Sequence, residues 1–356
     1  MSNNSFLTRR STMIACAGFA MLMMPFATAN AQSISDLEAA AKTEGQIVSL
    51  GMPDDWANWG EMWKAIMGKY GVTHADTDLS SAEQLAKFEA EGANASADIC
   101  EVGLEFMPVA VKKGLSQPYK TKNWDKIPDW AKDKDGNWAF SYTGTIAFVI
   151  NKNIKNPPRS FADLATGDYK ITVGEVGKRA AANAAVLAAA IALGGSETNL
   201  QPGLDLYAKL AKQNRLLTIN PTVALMEKGE IQVGIVFDFN ALSWRDVAGK
   251  EKWDVLIPSD GSVTTGYSTI INAFAKRPNI AKLTREFAFS DEGQAMFAKG
   301  YARPILIDGL NLSSEAAAHL LPSEQYRNAK PINPETWPGA AKKLGTMWQE
   351  QVASKM

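Results

Sequence analysis

Histidine and cysteine are nearly absent from this chain: His74, His319, Cys16 and Cys100 are all that its 356 residues contain. Neither histidine stands in an H-E-x-x-H or other paired-ligand spacing, which excludes a zinc centre of Cys and His and a Cys–His nucleophile. An excess of either charge is lacking as well. Lys and Arg number 37 against 38 Asp and Glu, a net of −1, and the cations are scattered, so the sequence offers no basic face suited to a nucleic-acid backbone. No P-loop, G-x-S-x-G, G-x-G-x-x-G or kinase motif occurs. Beyond residue 31 no apolar run approaches the ~20 residues that cross a bilayer. What is there is ordinary globular composition, 46% hydrophobic and 21% charged, enough for a real core. At ~150 residues per domain, two lobes are expected.

Residues 1–31 read as an export signal: Arg9-Arg10, a mostly apolar run over 13–26, and Ala29-Asn30-Ala31, an A-x-A site whose cleavage leaves Gln32 first. The run is too short for a membrane anchor. Cys16 after Met13-Ile14-Ala15 mimics a lipoprotein box, but almost nothing hydrophobic separates it from Arg10, so lipidation is the weaker reading. Thr8-Arg9-Arg10-Ser11-Thr12-Met13 partly matches a twin-arginine signal, and the export route stays open. Cleavage after Ala31 removes Arg9 and Arg10 and no acid, so 37 basic residues become 35 against 38 acidic ones. The mature protein, expected in the periplasm, keeps Cys100 alone. A buried thiol is the reading for it, and stability must come from the core rather than from disulfides.

Short β-like runs alternate with helical patterns: strands over 46–50, 72–76 and 97–102, helices over 56–70, 82–91 and 105–113. The alternation predicts an α/β lobe with a mainly parallel sheet, whose ligand sites lie at the carboxyl ends of strands. Ser80-x-x-Glu83 is a capping box for the second of these helices. A second series follows, with strands over 145–150, 170–174, 231–237, 253–257 and 268–275 and helices over 180–193, 199–213, 221–228, 280–289 and 292–299. Pro331, Pro334 and Pro338 form a strap before a last helix over 340–353. Asp133-Lys134-Asp135-Gly136-Asn137 superficially matches a calcium loop, but Gly144 stands where a bidentate Glu is required, so a hairpin turn is the better reading.

Three loops carry chemistry. Gly51-Met52-Pro53-Asp54-Asp55-Trp56 follows the first strand and opens a helix bearing Trp56, Trp59 and Trp63. Helical spacing assigns Trp59 and Trp63 to the core. Trp56, at the junction, is placed to stack on a ligand or hold a cation over its face, with Asp54 beside it; Asp55 is a ligand contact or a plain N-cap. Next, Glu175-Val176-Gly177-Lys178-Arg179 leads into an alanine-rich helix, where cations oppose the macrodipole at ~0.3–1 kcal/mol each. An anionic ligand group held by first-turn amides with Lys178 or Arg179 would compensate, and so would Glu175 in a solvated loop. Finally, Asp238 and Asn240 stand just past the strand over 231–237, where a carboxylate takes an amine or hydroxyl donor or merely caps the following helix. Paired carboxylates such as Asp54 and Asp238 also equip glycosidases, so an exported hydrolase or lyase is the competing class.

Several segments carry a family pattern: 97–103 (ADICEVG), 142–152 (YTGTIAFVINK), P-P-x-S-x-x-D-L from Pro157 to Leu164, 229–234 (GEIQVG), and S-x-E-G-Q from Ser290 to Gln294. With the exported N-terminus, and over about 35–301, the chain resembles the extracellular solute-binding proteins of ABC importers, the group with thiamine, polyamine, ferric-iron and hexose-phosphate or phosphonate receptors. The resemblance implies a periplasmic binding protein-like type II fold, two α/β lobes joined by a crossing-strand hinge with the ligand cleft between them. Residues 32–143 with 272–356 would form one lobe and 144–271 the other, with crossing strands near 144–150 and 268–275. Ligand contacts carried over by position are Asp54, Asp55, Trp56, Ser80, Ser81, Glu101, Gly177, Lys178, Arg179, Asp238, Asn240 and Tyr267. The implied activity is capture without catalysis, metal or cofactor, by a monomer that delivers its solute to a permease in the inner membrane. Ferric receptors of this group use an adjacent tyrosine pair, and none of the tyrosines here are sequence neighbours, so iron is a poor ligand. Acids around Trp56 with cations at Lys178 and Arg179 point instead to a solute with a positive and a negative end, such as a thiamine phosphate or an aminophosphonate.

Overall fold

The computed structural model describes Met1 and residues 33–356, so the export-signal segment, with Cys16, lies outside the described residues. Ile34–Met356 form one unit, built on eleven strands among the described residues. These are β1 (Gln46–Leu50), β2 (Thr73–Thr77), β3 (Ile99–Gly103), β4 (Phe140–Asn151), β5 (Ile171–Thr172), β6 (Leu216–Leu217), β7 (Val233–Phe237), β8 (Trp253–Leu256), β9 (Ser262–Ile271), β10 (Arg303–Pro304) and β11 (Ala329–Pro331). The pairing order is β2-β1-β3-β9-β4-β7-β5-β6, with β10 and β8 on β4 and β11 on β9. β1 runs parallel to β2 and β3, as the alternation predicts, and β5 parallel to β6 and β7. The long central strands break that pattern: β9 is antiparallel to both β3 and β4, and β4 is antiparallel to β7 and β8.

β4 is where the architecture turns. Its first half pairs with β9 and β10 up to Thr145; from Ile146 onward its neighbours are β7 and β8. Side chains alternate across a strand, so one continuous apolar run feeds two cores. Phe140, Tyr142, Ile146, Phe148 and Ile150 join the main core, while Ala147 and Val149 join a second, with Val236, Leu242, Trp253 and Val255. Near its start β4 carries a bulge, because Phe140 faces Ser268 while Tyr142 faces Tyr267, leaving Ser141 as the extra residue. Buried Gln294 props it, donating from Nε2 to the Ser141 carbonyl at 2.9 Å and accepting at Oε1 from the Leu306 amide at 2.9 Å. The S-x-E-G-Q motif is therefore a support for β4, with Ser290 capping its helix by accepting from the Gly293 amide at 3.1 Å.

The helix Ala180–Ala192 begins where the sequence predicts and, apart from Asn183, is apolar all round, as suits a buried helix. The Ser80–Glu83 capping box forms on the helix Ser81–Glu91. In P-P-x-S-x-x-D-L, Ser160 caps the short helix Phe161–Leu164, and Phe161 packs on Phe148 at 5.0 Å. Cys100 is a fully buried free thiol, pushed up by burial. Arg285, equally buried, gives its guanidinium to carbonyls of Tyr119, Gly136, Asn137 and Thr269, tying the 133–137 turn to β9.

Several boundaries differ from expectation. The first tryptophan helix spans Trp59–Tyr70, because Pro53 to Asn58 form a turn in which the Trp56 amide donates to the Pro53 carbonyl at 3.1 Å. Asn58, not Asp55, holds the N-cap position. The last long strand, β9, ends at Ile271 rather than continuing to 275, since Asn272 accepts from the Phe274 amide at 3.0 Å and turns the chain. The closing helix starts at Trp337 and takes Pro338 into its first turn, where a missing amide costs nothing.

Candidate functional site

Glu101 is the centre of the site. It lies in β3 opposite Thr269 of β9, is 2% exposed, and forms no ion pair among the described residues. Three aromatic side chains donate to it instead: Trp59 Nε1 to Oε1 at 3.2 Å, Trp56 Nε1 to Oε2 at 3.1 Å and Tyr142 OH to Oε2 at 2.7 Å. Trp56 Nε1 shares its proton with the Tyr142 oxygen, 2.7 Å away. Burial pushes the Glu101 carboxyl up from 4.5 to about 8, and these donors offset part of that rise.

Rings enclose this carboxylate from several elements. Tyr142 of β4 stacks on Tyr267 of β9 at 5.9 Å, the two being direct cross-strand partners. Trp56 meets Phe239 edge-on at 5.2 Å and Tyr267 at 5.3 Å, and Phe297 closes on Tyr142 at 4.8 Å. Phe239 belongs to the helix Asp238–Ala248, so the cluster joins the loop after β1 and the end of β3 to the far side of β4. Near Tyr267 lies a second acid, Glu105, half-buried, raised by burial and held by the Asn183 side chain.

Asp238 follows β7 and is fully buried. Its Oδ1 accepts from the Thr145 amide at 2.9 Å, its Oδ2 from Tyr326 OH at 2.7 Å, and the Phe239 amide also donates to it. Burial raises its pKa to about 6. Arg303 lies over the Tyr326 ring, 4.4 Å from its centre.

Of the residues singled out in the sequence, Trp56, Glu101 and Tyr267 are gathered into one cluster. Ser81 touches its edge, its hydroxyl accepting from the Gly103 amide at 3.2 Å. At the Gly177-Lys178-Arg179 turn, the chain just after Lys178 borders it: a methyl group on Gly103 would stand 3.5 Å from Ala180 Cβ, and the Arg179 charge acts on Tyr267. Gly177 is required there: φ is +86°, and a Cβ would come 2.7 Å from Gly345 of the closing helix. Lys178 and Arg179 are exposed and both pair with Glu175, at 3.0 and 3.6 Å. Asp54, Asp55 and Ser80 are exposed, and Asn240 is half-buried in its helix. Tyr142, Phe239 and Glu105 were not singled out, and Trp59 was assigned to the core. Period-two alternation along β4, which puts Tyr142 on the face of Ile146 and Phe148, was the available signal for the first of them.

The family model for the bacterial extracellular solute-binding protein matches residues 95–330. The sulfate-binding protein of Escherichia coli (strain K12) is 24% identical over 183 residues, 49% of this chain and 55% of that protein. The chain thus spans about half the length of the curated relatives it matches. Similar solved structures include the periplasmic binding protein AfuA from Actinobacillus pleuropneumoniae with fructose-6-phosphate bound, at TM-score 0.69 and 20% identity, covering 86% of this chain and 98% of that one. The ferric binding protein from Campylobacter jejuni follows at 0.67 and 20%, covering 85% and 98%. The fold is that of the periplasmic binding proteins.

Proposed function

The chain belongs to the family of bacterial extracellular solute-binding proteins, and on that premise we propose that it captures a small, amine-bearing polar solute in the periplasm and passes it, unaltered, to the membrane permease of an ABC importer. Membership in a family of binding proteins sets aside the hydrolase or lyase alternative. The relatives' names span sulfate, a sugar phosphate and ferric ion, so neither family nor fold selects the ligand and the side chains must. One observation carries the reading: Glu101, in the middle of β3, is buried with no ion pair among the described residues and is held by the N–H and O–H groups of Trp56, Trp59 and Tyr142. A buried carboxylate without a counter-charge is costly, and a protonated amine both neutralises it and rests well against indole and phenol faces.

Glu105, near Tyr267, extends the acidic surface. The turn at Gly177, Lys178 and Arg179 supplies the opposite end, where a phosphate or phosphonate would draw the two cations away from Glu175. Thiamine phosphates and aminophosphonates have that two-ended build. We put the hinge at the partner exchange of β4, between Thr145 and Ile146, and in the neighbouring stretch of β9. The protein acts as a monomer.

A thermal-shift screen of amines, phosphates, aminophosphonates and thiamine forms tests this, since a ligand at 100 times its Kd adds ~2.7 kcal/mol. Compounds with an amine should raise the midpoint and be recovered intact by mass spectrometry. Stabilisation by neutral sugars or bare anions alone would overturn the amine end. Lys178→Ala with Arg179→Ala should weaken a phosphorylated hit by about tenfold, in line with the loss of a charge-assisted hydrogen bond; unchanged affinity, measured by calorimetry, removes the anion end.

A further inference from the structure

Two of the three donors to Glu101 come from regular elements, Trp59 from a helix and Tyr142 from β4; Trp56 comes from a turn. That turn is strained. Ala57 and Asn58 follow one another with φ of 47° and 68°, a left-handed pair without glycine. It is held by contacts outside itself: Asn58 Nδ2 donates to the Met296 carbonyl at 2.9 Å, and a Cβ on Gly300 would come 2.5 Å from Asn58 Cβ. Trp56 is half-buried, whereas Trp59 and Trp63 on the helix are 0% and 1% exposed. Of the three donors its indole is the one that comes from a turn and from a residue only half-buried, set edge-on to Phe239 and Tyr267.

The oxygens of a buried carboxyl group need hydrogen-bond partners whether or not a solute is bound. We propose that Trp56 is a placeholder: its indole N–H fills the Glu101 acceptor in the unliganded protein and yields that acceptor to an N–H of the bound solute. This rests on the amine reading above and sharpens it. The exchange conserves hydrogen bonds only if the incoming cation itself donates, so primary and secondary ammonium, guanidinium or amino-heterocycle groups are accepted. A quaternary ammonium brings charge without a donor and leaves Glu101 one hydrogen bond short, a loss of about 10- to 100-fold in affinity.

The test uses 4-aminobutanoate, 2-aminoethylphosphonate, butane-1,4-diamine and the N,N,N-trimethylated counterpart of each. Indole N–H resonances are followed by NMR, with Trp56 assigned through Trp56→Phe, and affinities are measured by calorimetry. In the ligand-free protein the Trp56 indole proton should exchange slowly with water; on saturation with an amine it should shift and exchange freely while that of Trp59 stays. Trp56→Phe, which keeps a ring between Phe239 and Tyr267, should bind the amine about 2- to 10-fold more tightly because the internal competitor is gone. Rapid exchange of the Trp56 proton without ligand, or an unmoved resonance with a saturating amine, overturns the placeholder while the receptor reading stands. Equal binding of the trimethylated compounds overturns the donor requirement. Binding confined to compounds without nitrogen overturns the amine reading itself, and the placeholder with it.

Discussion

Glu101 and Asp238 are two acids buried to nearly the same depth, 2% and 0% exposed, yet they are satisfied in opposite ways. Asp238 is held by the backbone amides of Thr145 and Phe239, by Tyr326, and by the nearby charge of Arg303. Amides of β4 and of a helix start cannot leave without unfolding, so Asp238 fastens the helix after β7 to β4 and to the C-terminal segment. Glu101 receives only side-chain donors, one of them from a strained turn, and forms no ion pair among the described residues. The titration follows: about 6 for Asp238, about 8 for Glu101. Burial alone does not mark a binding site; what marks it is whether the partners can be exchanged.

The largest effect expected from this contrast is on affinity. Glu101→Gln should weaken an amine ligand by about 30- to 1,000-fold, since a desolvated charge partner is worth ~2–4 kcal/mol, while Asp238→Asn should leave affinity within about threefold. Equal losses in calorimetry would erase the distinction. Next comes pH. The folded protein keeps the Glu101 proton that an unfolded chain releases near 4.5, so this contribution to stability is complete below 4.5 and is lost as pH rises to about 8. Asp238 has the same sign between 3.8 and about 6. Urea midpoints should therefore decline from pH 6 to 8 and Glu101→Gln should flatten that decline; a rise over this window would contradict it. Amine affinity should move the other way, increasing by up to tenfold per unit as pH approaches 8, because the bound cation requires the ionised carboxylate. The smallest effect is on fastening: Asp238→Asn should cost ~1–3 kcal/mol of unfolding free energy, read from denaturant curves, by leaving buried donors poorly matched.

Local rules were legible in the residues. β1 falls at Gln46–Leu50, the Ser80–Glu83 box caps its helix, and the alanine-rich helix begins at Ala180, each dictated by neighbours a few positions apart. Trp59 and Trp63 are core for the reason helical spacing gives. The start of their helix was hidden because a left-handed Asn58 is stabilised by Met296, distant in sequence. The extent of β9 was hidden by Thr264, Thr265 and Gly266, which weaken the apolar signal but face β4 in the sheet. Glu101 and Tyr267 were nominated by the resemblance, and the burial of Tyr142 was signalled by alternation along β4, but its meeting with Tyr267 depends on a long-range register that no local window contains.

That register is kept by one spare residue. Because Ser141 is the extra residue, Phe140 lies over Gly266 on the Ser268 side of the ribbon while Tyr142, two positions on, meets Tyr267 on the other side. Were these residues to run on from the Phe140–Ser268 pair as a regular strand, Tyr142 would fall on the side of Phe140 and face Gly266 instead of Tyr267. The phenol beneath the indole is thus aimed by arithmetic, the parity of a count, and Gln294 is the pawl that stops the ratchet from slipping.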